Sequence, residues 1–66
     1  SGIILSASNN EINIKGLNKN SVVKLFSISG SVLKMENAKN SSVIWNVPQG
    51  IYIVQANDEV FKVVVR

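Results

Sequence analysis

The stretch Ile51-Tyr52-Ile53-Val54-Gln55-Ala56-Asn57-Asp58-Glu59-Val60-Phe61-Lys62-Val63-Val64-Val65 decides the fold. Two runs rich in β-branched residues flank Asn57-Asp58, a pair that tolerates positive φ and so suits a two-residue hairpin turn. With that turn, Ala56 faces Glu59, Val54 faces Phe61 and Tyr52 faces Val63. Side chains alternate across a strand, so Tyr52, Val54, Phe61, Val63 and Val65 share one face, which we assign to the core. The other face carries Ile51, Ile53, Gln55, Val60, Lys62, Val64 and Arg66. It is half apolar, which predicts that the hairpin is either central in its sheet or covered.

The same grammar extends toward the N-terminus. Ile3-Ile4-Leu5 is a first run, followed by the turn cluster Ser8-Asn9-Asn10. Glu11-Ile12-Asn13-Ile14-Lys15 alternates cleanly and puts Ile12 and Ile14 on one face. Gly16 to Asn20 reads as a loop, and Val22 to Ile28 as a third run turned by Ser29-Gly30-Ser31. Val32-Leu33-Lys34-Met35 is a fourth, Asn37 to Ser42 a polar loop. Val43-Ile44-Trp45 is a fifth run, stopped by Pro48, which cannot donate to a ladder. Gly50 opens the sixth and supplies backbone freedom there. Seven short runs at roughly 8–10 residue spacing, with no helical period, predict an all-β sandwich or small barrel with mostly antiparallel strands.

Composition narrows the function. The chain has 66 residues and 7.2 kDa, enough for a single domain spanning 1–66, with Ser1-Gly2 read as a scar of tag removal. It contains no Cys and no His, which excludes disulfides, thiolate nucleophiles, the usual zinc ligands and a His general base. Only four acidic residues are present, and none form an obvious catalytic pair. No phosphate loop or nucleophile elbow occurs. The expectation is therefore a non-enzyme without cofactor or metal. A net charge of +3 supports few phosphate contacts, so nucleic-acid binding is not expected. No apolar run is long enough to cross a membrane as a helix. The four aromatics Phe26, Trp45, Tyr52 and Phe61 are assigned to the core with the lysines outside, against the rival of a base-stacking platform around Lys24-Leu25-Phe26 and Phe61-Lys62.

Val47-Pro48-Gln49-Gly50-Ile51-Tyr52 has the layout of a tyrosine corner, in which a Tyr near the start of a late sandwich strand bonds its hydroxyl to upstream backbone. Tyr52 is thus read as structural, with ligand binding the lesser alternative.

Three segments together resemble a known family. Lys24-Leu25-Phe26-Ser27-Ile28-Ser29-Gly30-Ser31-Val32-Leu33, then Val47-Pro48-Gln49-Gly50-Ile51-Tyr52-Ile53-Val54, then Phe61-Lys62-Val63-Val64-Val65-Arg66, are similar in order and spacing to the C-terminal sorting domain of type IX secretion cargo of Bacteroidetes. Ser31 stands where that family usually has a basic residue, and the opening Asn-Pro segment common in it is missing. The resemblance implies an Ig-like β-sandwich acting as an address label. It implies passage through the periplasm and reading by the type IX machinery, comprising an outer-membrane translocon and a sortase-like peptidase. Surface attachment or release of the cargo would follow. By match to the family tail, Lys62, Val63, Val64, Val65 and Arg66 are the expected recognition residues. Gly30, Gly50 and Tyr52 fall on motif positions assigned to structure. Membrane insertion is not expected, and weak self-association is allowed. The rival from another class is an Ig-like adhesive or carbohydrate-binding module that uses the apolar outer face; a third reading is a small basic barrel that binds nucleic acid.

Overall fold

A computed structural model describes residues 2–66; Ser1, half of the pair read above as a scar, lies outside the described residues. The described residues form seven strands and no helix: β1 (Ile4–Ser8), β2 (Glu11–Lys15), β3 (Val22–Ser27), β4 (Val32–Asn37), β5 (Val43–Asn46), β6 (Gly50–Ala56) and β7 (Glu59–Val65). They make two antiparallel sheets, ordered β1-β2-β5 and β4-β3-β6-β7. In Ig terms the first sheet is A-B-E and the second C′-C-F-G, an Ig-like sandwich whose fourth strand has joined the C-F-G sheet.

The hairpin read first from the sequence has the expected register, with Ala56 opposite Glu59, Val54 opposite Phe61 and Tyr52 opposite Val63. Its expected core face is buried at Tyr52, Val54, Val63 and Val65 and half-buried at Phe61. The alternation of β2 likewise seals Ile12 and Ile14 from solvent, and Val23 and Leu25 of β3 complete the contact between the layers. Each such side chain, fully buried, contributes about 1.5–3 kcal/mol relative to exposure. Leu17, Ala38 and Val47 lie outside the strands yet are buried. The segment read as polar loop from Asn37 to Ser42 is thus corrected at both points: Asn37 ends β4, and Ala38 is a core residue. The connection hides Ala38 because its N–H donates to the Ser21 carbonyl (2.8 Å) and its carbonyl accepts from Asn20 N–H (2.8 Å).

The turns obey local stereochemistry. Asn9 and Asn10 both take positive φ (52° and 62°) between β1 and β2, the mirror-image turn whose twist matches its strands. In the β6–β7 turn Asn57 does so (φ 54°) and Asp58 does not, so the tolerance noted for the pair is used at one of its two positions. Gly30 has φ 99°, so its place between β3 and β4 needs glycine. Gly50 does not take positive φ, and a Cβ there would meet the Tyr52 ring at ordinary contact distance, 3.5 Å. The backbone freedom assigned to Gly50 is therefore not used.

One side of the sandwich is tied by a polar bond. Trp45 Nε1–H on β5 donates to Glu36 Oε1 on β4 (3.1 Å), joining the two sheets at their rim while the indole body stays buried. On the opposite side β1 approaches β7.

Candidate recognition surface

β7 is an edge strand, paired only with β6. Of the five tail residues singled out by the sequence, Val63 and Val65 point into the core, while Lys62, Val64 and Arg66 are exposed. The period-2 rule divides the segment in this way: the inward valines fix the strand's register and the outward residues are accessible. The backbone of Arg66 is also engaged, its carbonyl accepting from Asn10 N–H in the β1–β2 turn (3.3 Å).

Behind β7, the outer face of the four-stranded sheet can be read across the register. One row runs Met35, Lys24, Gln55, Val60 and the next Val32, Phe26, Ile53, Lys62. Ile51 and Val64 pair beyond them. The hairpin was expected to be central or covered. Instead, β6 is central, β7 is the edge, and among the described residues no element lies over their outer face. Phe26 belongs to this face, half-buried, rather than to the core. Leu25 and Phe26 are consecutive, so only one can point inward, and Leu25 takes the core position. The assignment of all four aromatics to the core is corrected at Phe26.

Tyr52 sits at the β5–β6 corner. Its hydroxyl donates to the Pro48 carbonyl at 2.7 Å, and the residue as a whole is 9% exposed. With ring packed and hydroxyl engaged, nothing of Tyr52 is presented to a ligand. Gly30 lies in an exposed turn held by Ser27, whose Oγ accepts from Ser31 N–H (3.1 Å) and whose N–H donates to the Ser31 carbonyl (2.8 Å).

A polar staple escaped the sequence reading. Asn57 Oδ1 accepts from Val22 N–H (3.2 Å), Asn57 Nδ2 donates to Ser21 Oγ (3.2 Å), and Asn57 N–H donates to the Val22 carbonyl (3.0 Å). One turn residue thereby pins the β6–β7 hairpin to the start of β3 and satisfies Ser21, which is 4% exposed. An Asn in a turn was legible; its partners, distant in sequence, were not.

Chemistry-bearing groups do not converge. Among the described residues no cluster of three or more His, Cys, Asp or Glu could hold a metal. A wide-open depression between the β1–β2 turn and the β5–β6 connection is lined by Asn10, Asn46, Val47 and Pro48, which offer amides and apolar surface but no nucleophile or titratable group. Compared with known proteins, the chain matches no family model, no curated protein and no solved structure at a significant level.

Proposed function

We propose that the chain is a non-catalytic C-terminal secretion signal domain that directs its parent protein to the type IX machinery for export across the outer membrane, with surface attachment or release. The observation that carries this reading is the division of β7. Val63 and Val65 anchor the strand in the core, and Lys62, Val64 and Arg66 stand outward at a sheet edge. Edge strands are surfaces to which another chain can add by backbone pairing, with outward side chains supplying selectivity. The motif order supports the same reading, because the Ser-Gly turn, the Tyr corner and the Lys-aliphatic tail fall on β3–β4, β5–β6 and β7 of one sandwich.

A second reading, an adhesive module, is favoured by the uncovered apolar face. Its carbohydrate-binding form has less support: sugar platforms use exposed aromatic faces, and here Trp45 and Tyr52 are buried while Phe26 and Phe61 are half-buried.

The test is fractionation of a reporter fused ahead of this domain in a type IX-competent bacterium. The intact fusion should reach the cell surface or medium. Lys62→Ala with Arg66→Ala, which leaves the core valines in place, should retain it in the periplasm while the isolated domain still folds. An intact fusion that never leaves the periplasm refutes the export reading.

A further inference from the structure

The two outer faces of the sandwich differ in kind. Outward positions of the three-stranded sheet are Ile4, Ser6, Ser8, Glu11, Asn13, Lys15, Ile44 and Asn46, polar but for the two isoleucines and close to the solvated side usual for an antiparallel sheet. Outward positions of the four-stranded sheet are dominated by Phe26, Ile51, Ile53, Val60 and Val64. Strand propensity does not account for the contrast, since the first sheet forms with polar residues on the same kind of surface.

Charge on the apolar face has a single sign. Lys24 and Lys62 lie on it, two strands and two residues apart in register, which places them roughly 12 Å from one another across Ile53 and Gln55; Arg66 stands outward at its margin. None of the four carboxylates shares the face. Glu36 points to the rim and accepts from Trp45, Glu11 is on the other sheet, Glu59 is in register with buried Ala56, and Asp58 is in the turn.

We propose that this face docks an acidic amphipathic protein surface: an apolar stripe that covers Phe26, Ile53 and Val60, flanked by carboxylates that meet Lys24 and Lys62. A second copy of this chain fits worse. Face-to-face stacking would bring the lysines of both copies into one interface. The footprint, four strands wide and about six residues long, is roughly 400 Å² for any partner, below the ~800 Å² per partner of a stable complex. The face is a broad strand surface, broken by one bulge at Leu25/Phe26 in the β3–β4 pairing, and offers no loop of its own to insert into a bilayer. The small footprint makes the docking transient and dependent on the two charges. The inference does not depend on the export reading.

The experiment titrates the isotope-labelled domain with two synthetic amphipathic helices that share a leucine face, one flanked by glutamate and the other by lysine. The glutamate helix should shift the amides of Lys24, Phe26, Ile53 and Lys62, and its affinity should fall as salt rises. The lysine helix should bind at least tenfold more weakly. Lys24→Glu with Lys62→Glu should reverse that preference, and Lys24→Gln with Lys62→Gln should abolish it should the reversal variant fail to fold. Equal binding of both helices, shifts confined to the other sheet, or no binding at millimolar peptide overturns the proposal. So does tighter binding to vesicles of anionic lipid than to the glutamate helix, or dimerisation through this face with no peptide added.

Discussion

Replacing Tyr52 by Phe removes one oxygen and leaves the ring in place. The hydroxyl donates to the Pro48 carbonyl at 2.7 Å, and a bond of this type contributes about 0.5–1.5 kcal/mol net. A stranded carbonyl deep in the protein would add a further penalty, but Pro48 is exposed, so water can take over part of the lost bond. The expected cost is about 1 kcal/mol, which for a domain of this size lowers the melting midpoint by about 4–8 °C. Trp45, buried and within the same core, supplies the fluorescence signal for urea and thermal unfolding. The urea midpoint should fall with the slope unchanged, because the surface exposed on unfolding is the same. Tyr52→Leu, which also removes ring contacts, should cost clearly more. An unchanged midpoint in Tyr52→Phe would refute the corner as a stabilising bond, and a loss as large as that of Tyr52→Leu would refute the separation of hydroxyl from ring.

Two other expectations follow from the turns. Asn57→Gly keeps the positive φ but deletes the bonds to Ser21 and Val22, so it should destabilise by about 1–2 kcal/mol; in a double-mutant cycle with Ser21→Ala the losses should be less than additive, and full additivity would show that the staple carries no energy. Gly16→Ala should be severe and Gly50→Ala close to neutral: Gly16 has φ 79° and a Cβ would collide with the Gly2 carbonyl, whereas at Gly50 it meets only ordinary contact. Denaturation midpoints check the pair, and equal effects would contradict this reading of the two glycines.

The fold was legible wherever local period and turn chemistry agree. Alternation in Glu11–Lys15 and around Asn57-Asp58 determined which side chains face inward, and Pro48 to Tyr52 held the corner within five residues. Where two apolar residues adjoin, as at Leu25-Phe26, sequence alone does not set the phase, since either could be the inward one; packing between the sheets decides it. Ala38 and Leu17 were hidden for a related reason, being isolated small or apolar residues in polar company whose burial depends on how loops cross the ends of the sandwich. The Trp45–Glu36 tie and the Asn57 staple join residues that only the folded topology brings together. At the candidate surface, the outward set Lys62, Val64 and Arg66 followed from alternation. The hairpin's share of the surrounding apolar field, Ile51, Ile53, Val60 and Val64, followed as well; the addition of Phe26 did not, because it comes from a strand whose place beside β6 is non-sequential.

The central strand pair also governs when this domain can fold during synthesis. β3 takes its inner neighbour from β6, matching Val23 with Ala56 and Ser27 with Tyr52, and Val65, which closes β7, is 2% exposed in the core. Until β6 has left the ribosome, β3 has only the edge strand β4 beside it, and the sheet is complete only when β7 follows. Sheets built from distant pairings form late and slowly. The β1–β2 and β3–β4 hairpins can pair early, but the four-stranded sheet and the core it seals wait for β6 and β7.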